Sequence, residues 1–343
     1  MRASSFSSCP GRLGLASAGL ALVLCGCSLV EDLDPLQSGG GGAGTTSSTS
    51  TTSSTTSSTT SAGGGGEGGG GGGAPDPCVP TQGWLVSCGL AARYYLDEAA
   101  SGSSPAFALD AASSPLDLPI TYATDLSYTE VAGQRGLRWA VAAEDGGPAV
   151  AIAGTKLQNL HGAQAASIEV VVDIDEATSS TSRLCNLGAG PYSALALGAD
   201  LPEVVEDVPI IGSPVRVEVR ARFETADYTY VGFPVALGQL GRVVLHAVVD
   251  ASEAAPVDRV RLYVNGTRVA RDEIYSEGGN GMGPQQGELL WVEETETFSI
   301  GNRTLGQRSP NGTIYYTALY AHPLDQAQIT HNVAQLLADD DAP

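Results

Sequence analysis

The segment Val215-Arg-Val-Glu-Val-Arg-Ala-Arg-Phe-Glu224 alternates apolar and charged residues without a break. A period of two is the repeat of a strand, and the alternation predicts one face on a core and one in water. Val215, Val217, Val219, Ala221 and Phe223 share the first face; Arg216, Glu218, Arg220, Arg222 and Glu224 share the second. Arg259-Val-Arg-Leu-Tyr-Val264 repeats the pattern and ends at Asn265-Gly266. Asn-Gly is a strong hairpin signal because both central residues of the turn need positive φ. Ile168–Ile174 and Val243–Val249 are nearly continuous apolar runs and read as central strands covered on both faces. Only Asp325–Leu337 reads as a helix. Many short strands separated by turns predict an all-β sandwich or jelly roll.

The N-terminal quarter has a different character. Arg2 and Arg12 precede an apolar run from Leu13 to Leu24, shorter than the roughly 20 residues a spanning helix needs. A positive start, a short apolar stretch and a small-residue end describe an export signal. Its last residues, Leu24-Cys25-Gly26-Cys27, resemble the lipobox of bacterial lipoproteins. That resemblance implies cleavage after Gly26, so that 1–26 is signal peptide, and acylation of Cys27 at the start of a lipidated segment 27–37. Cys25 is a rival acceptor whose surroundings fit the motif less well. Several acyl chains anchor stably where one does not, at about 0.8 kcal/mol per buried methylene. Ser28 in place of Asp implies the outer membrane.

Residues 38–76 are almost wholly Gly, Ser and Thr. Such a stretch buries too little apolar surface to offset its ordering entropy, so it is expected to be a disordered linker. Its mean end-to-end distance is on the order of 35 Å. The remaining 77–343 is long enough for one large β domain.

Three cysteines remain beyond the lipobox: Cys78, Cys88 and Cys185. Export places them in an oxidising compartment. A Cys78–Cys88 bridge would close a short loop and contribute roughly 2–3 kcal/mol. Cys185 is then a buried thiol, or the true partner of one of the other two.

Within 89–335 an ordered set of segments resembles the laminin-G-like branch of the concanavalin A-like jelly rolls. Gly89-Leu-Ala-Ala-Arg-Tyr-Tyr-Leu-Asp-Glu98 is similar to the family's opening strand, and Gly136-Leu-Arg-Trp139 to its second landmark. Ser167–Val172 stands where the family usually carries a Trp. Leu245-His-Ala-Val-Val-Asp250 with Val260-Arg-Leu-Tyr-Val-Asn-Gly266 resembles its most recognisable stretch. Phe298–Arg303, Gly312–Tyr320 and Asp325–Ile329 resemble its close. The resemblance implies binding of carbohydrate or an extracellular partner.

No catalytic set is visible. The superfamily's glucanases place carboxylates at alternate positions on one strand as a retaining pair. The nearest segment, Asp173-Ile-Asp175-Glu176, lacks the first Glu, and its last two acids point to opposite faces. His161, His246, His322 and His331 suggest no triad, and His246 reads as a satisfied core residue. Gly278–Gly283 lacks the strand-helix context of a phosphate loop. No Cys-x-x-Cys or His cluster suggests a metal site. Calcium sites occur in the superfamily, but no ligand set transfers residue by residue.

For binding, Arg216, Arg220 and Arg222 form a basic stripe able to meet an anionic glycan. The plainer account is an exposed face offset by Glu218 and Glu224. Trp84 and Trp291 could stack on sugar rings or fill the core. The formal net charge of −21, from 17 Lys+Arg against 38 Asp+Glu, argues against nucleic acid. The sequence thus predicts an exported, outer-membrane-anchored, non-enzymatic binding protein. The alternatives are a polysaccharide hydrolase or lyase, and a structural or adhesion module.

Overall fold

The computed structural model describes residues 76–142, 145–176, 182–188, 193–200, 204–205, 208–209, 216–224, 229–271, 283–303, 306 and 308–342. The signal segment, Cys27, the linker to residue 75 and Gly278–Met282 lie outside them, as do the side chains of Glu176 and Arg216.

Two eight-stranded antiparallel sheets form the expected all-β jelly-roll sandwich. The first runs in the order Thr267–Val269, Val260–Val264, Val243–Asp250, Ala165–Glu176, Asn311–Tyr320, Gln134–Trp139, Leu126–Val131. Leu90–Tyr94 pairs with the Tyr320 end of Asn311–Tyr320, and Gln134–Trp139 with its other end. The second runs Thr229–Pro234, Arg216–Ala221, Leu195–Asp200, Ser182–Leu187, Thr297–Ile300, Gly147–Ala151, Leu118–Thr121, Phe107–Ala108. The hairpin at Asn265-Gly266 is present, with φ of 48° and 79°.

Alternate residues face the space between the sheets. Ile168, Val170 and Val172 from the first sheet meet Leu197, Val217, Val219 and Phe298 from the second in one apolar cluster. Trp139 is fully buried there against Gly301, which sits at φ +69°. The other face of the first sheet carries a second cluster. Val171, Val244, Val248, Tyr316 and Tyr320 are covered by Leu324 and by Ile329, Val333 and Leu336 of the helix Gln326–Ala338. Their spacing is that of one helix face. Asp325 caps the helix through a reciprocal pair of bonds with Gln328. The two apolar runs are thus buried on both sides, as their composition predicted.

One expectation fails. On the charged face of Arg216–Ala221 Glu218 is not in water: it is 1% exposed and accepts from Arg220, whereas Glu224 beyond the strand is exposed as expected. Residues two apart on a strand point the same way, so this pair can form within one strand and be covered together.

Candidate functional site

The helix-covered face of the first sheet is not purely apolar. Glu169 and His246 stand directly opposite each other on neighbouring strands. His246 Nε2 lies 2.6 Å from Glu169 Oε1, and neither side chain is exposed. Tyr316 Oη and Tyr320 Oη donate to Glu169 Oε2 at 3.0 and 2.8 Å. Asn332 Nδ2, from the helix, donates to Oε1 at 3.0 Å. A buried carboxylate survives only when its lone pairs are matched in this way. Burial pushes the Glu169 carboxyl up, but His246, Tyr320 and Arg93 outweigh it and hold it at about 2.

The network carries outward through Arg93. Its Nε donates to Tyr316 Oη at 3.0 Å, and its Nη2 to Val86 O at 2.8 Å. Arg93 and Tyr95 line a cleft of about 600 Å³ together with Trp84, Gln335, Asp339 and Asp341. Small-molecule sites typically occupy roughly 300–1,000 Å³. Trp84 is 62% exposed at this cleft.

The loop that presents Trp84 is tied at several points. Cys78 and Cys88 are joined as a disulfide, so the expected bridge is present, and Cys185 is a buried free thiol. Trp84 N donates to Thr81 O, and its carbonyl lies 2.8 Å from His331 Nε2 on the helix. Val86 N donates to Asn332 Oδ1, and Gln328 Nε2 to Cys78 O. These bonds fix the backbone of the loop, and so the point from which the exposed indole projects. Around it stand carboxylate acceptors and amide or guanidinium donors, suited to a ligand with one apolar face and a hydroxylated edge.

A second aromatic lies elsewhere. Trp291, 39% exposed, meets His161 edge-on at 5.0 Å and donates from Nε1 to Glu293 at 3.2 Å. Arg222 pairs with Glu293 at 3.4 Å and with Glu296. Burial pushes the Glu296 carboxyl up to about 7; Glu293 adds to the push and Arg222 opposes it. Its Oε2 is shut from solvent without a hydrogen-bond partner among the described residues.

Of the basic stripe, Arg220 and Arg222 therefore do not stand as bare cations, and the Arg216 side chain lies outside the described residues. Arg220 pairs with Glu218 at 2.5 Å and lies over the Tyr230 ring, while Arg222 holds the two glutamates. Asp175 pairs with Arg138 at 2.5 Å near the end of its strand; after burial, its charge helps push the Asp173 carboxyl above its ordinary value, and Arg138 opposes this. Among the described residues no group of three or more His, Cys, Asp or Glu is placed to hold a metal ion. Sequence reasoning missed Arg93 and Tyr95 as lining residues, although both sit in the quoted opening strand. It also had no means of telling that Trp84 faces solvent.

No protein-family model matches this chain, and no curated protein sequence matches it. Solved structures do. A Trypanosoma rangeli sialidase in complex with 2,3-difluorosialic acid is 16% identical, with TM-score 0.44 over 74% of this chain and 34% of that one. The chain thus spans about a third of the sialidase's length. Domain 4 of AbnA, a GH43 extracellular arabinanase from Geobacillus stearothermophilus in complex with arabinotriose, is 14% identical. Its TM-score is 0.42 over 71% of this chain and 98% of that one. The binding domain of botulinum neurotoxin DC in complex with SialylT is 10% identical, with TM-score 0.44 over 72% and 51%. Likeness at this level concerns β-sandwich architecture and does not assign a ligand or an activity.

Proposed function

We propose that this chain is an exported, lipid-anchored protein whose laminin-G-like domain binds carbohydrate without transforming it. The observation that carries the reading is the exposed Trp84 indole at a cleft of about 600 Å³ whose lining includes Arg93, Gln335, Asp339 and Asp341. An indole offers the apolar face of a sugar a stacking surface, and the polar rim offers its hydroxyls partners.

The non-catalytic part of the reading is supported by Glu296. Its carboxyl, pushed up to about 7, holds its proton in the range that suits general acid chemistry near neutral pH. Yet one of its oxygens is held by Arg222 and the other is closed off from solvent. A general acid must reach its substrate's proton acceptor directly or through one water.

The test is a glycan array with the full-length chain, with and without calcium, repeated with Trp84→Ala. Binding to at least one glycan class, weakened about tenfold by the substitution, is expected; tenfold corresponds to about 1.4 kcal/mol. Silence in both conditions, or undiminished binding by the variant, would overturn the reading. Anchorage rests on the lipobox at Leu24–Cys27 and on Ser28. Mass spectrometry of the mature N-terminus should find Cys27 acylated, and outer-membrane fractions should hold the protein. An unmodified terminus would sink that part alone.

A further inference from the structure

The helix Gln326–Ala338 runs out into Asp339-Asp-Asp341. Asp340 turns inward and pairs with Arg242 at 2.5 Å. Asp339 and Asp341 instead line the cleft that Trp84 borders, as does Asp76 just before Cys78. Among the described residues none of these three carboxylates forms a salt bridge. Their partners are backbone N–H groups: Asp76 Oδ1 accepts from Cys78 N at 2.9 Å, and Asp339 Oδ1 from Asp341 N at 3.1 Å. Such bonds leave the negative charge in place. The carbonyl end of the helix, at Ala338 in the same lining, adds partial negative charge.

Arg93 is the one cation lining the cleft among the described residues, and it is committed inward. It is 8% exposed, its donors go to Tyr316, Tyr320 and Val86 O, and its charge acts on Glu169. The charge that the cleft presents to a ligand is therefore negative. Loss of water, then the charge of Asp97 and more weakly that of Asp339, push the Asp341 carboxyl above its ordinary value, against the Arg135 backbone and side chain. An entering cation relieves that repulsion and an anion adds to it. Among the described residues no three acids are placed to hold a metal ion, so the acids suit a cation that brings its own scaffold. We propose that the cleft selects sugars bearing a free ammonium group, the deacetylated hexosamines, over neutral and acidic ones. Trp84 takes the apolar ring face, and Asp339 and Asp341 take the ammonium. This deepens the carbohydrate reading and rests on it.

The test is calorimetric titration of the full-length chain at pH 6, where the sugar amines are protonated. The probes are a glucosamine trimer, its fully N-acetylated counterpart, a galacturonate trimer and spermidine. The glucosamine trimer should bind about tenfold more tightly than the acetylated one, a margin that shrinks as salt is raised, with galacturonate weakest. Joint replacement Asp339→Asn and Asp341→Asn should cut the margin at least about threefold. Asn keeps an oxygen for the Asp341 N–H, and Asp339→Asn alone, at an exposed position, serves if the double variant fails to fold by circular dichroism. Trp84→Ala should weaken both glucosamine-type trimers. Equal binding of the two trimers, an undiminished margin in the folded Asn variants, or spermidine binding as tightly as the glucosamine trimer would overturn the proposal. If the trimers bind equally but both depend on Trp84, only this selectivity fails and the carbohydrate reading stands. No binding of any sugar probe, together with a silent glycan array, would remove both.

Discussion

His246 Nε2 sits 2.6 Å from Glu169 Oε1, and the two residues are direct cross-strand partners in the centre of the first sheet. Two tyrosine hydroxyls and a helix asparagine complete the carboxylate's shell. Through Tyr316 and Tyr320 the same shell positions Arg93 at the cleft. Stability and the shape of the candidate site are therefore linked through one buried acid.

Replacing Glu169 by Gln removes the charge while keeping the volume. It leaves donors aimed at an amide that cannot accept from all of them. Breaking a buried network from one side typically costs about 3–5 kcal/mol. We expect a loss of about 3 kcal/mol in urea unfolding at pH 7; a change under 1 kcal/mol would contradict the network's role. The acid limb follows from the carboxyl held at about 2 against an ordinary 4.5. A folded value below the unfolded one stabilises above pH 4.5, and that contribution is lost as pH falls toward 2. Glu169→Gln should flatten the stability profile across that window.

Glu296 gives the opposite sign. Its carboxyl lies at about 7 against an ordinary 4.5, so the folded state holds the proton more tightly. The contribution is fully present below pH 4.5 and disappears as pH rises through 7. Glu296→Gln should therefore gain stability relative to the wild type between pH 4.5 and 7.5. Paired urea midpoints at the two pH values measure this, and a difference that shrinks or stays constant would refute it.

Most of the architecture was legible because it depends on local pattern. Val215–Glu224, the Asn265-Gly266 turn and the helix after Asp325 each carry their signal within about a dozen residues. The Cys78–Cys88 bridge was legible for the same reason, the two residues being 10 apart. The site was less so. Glu169 and His246 are 77 residues apart, and Asn332 lies 163 from Glu169, so only the register brings them together. His246 was expected as a satisfied core residue; it is buried and paired through Nε2, while Nδ1 has no partner among the described residues. Glu218 read as solvated because alternation reports which residues share a face, not what covers that face.

Gly301 offers a test of packing free of charge. Its φ of +69° disfavours any side chain, and a Cβ at this position would fall within the Trp139 indole. Backbone strain in this region costs about 1 kcal/mol or more, and overpacking about 1–3 kcal/mol. Gly301→Ala should lower stability by about 3 kcal/mol and shift the Trp139 emission. A variant with wild-type thermal unfolding would mean that the two segments separate more readily than their packing implies.

The disulfide links stability to binding. Cys78–Cys88 closes the loop that carries Trp84, and that loop is further held through Cys78 O by Gln328 and through Val86 N by Asn332. Replacing both cysteines by Ser removes the constraint on the unfolded chain, worth roughly 2–3 kcal/mol for a loop this short. The sheets have their own core, so the variant should still fold. The indole would then sample more orientations, and binding would bear the cost of ordering it. We expect glycan affinity to fall about three- to tenfold, mainly through a faster off-rate. Surface plasmon resonance on the oxidised protein and the double serine variant separates these effects. Equal off-rates would show that the loop is positioned by its hydrogen bonds to the helix alone.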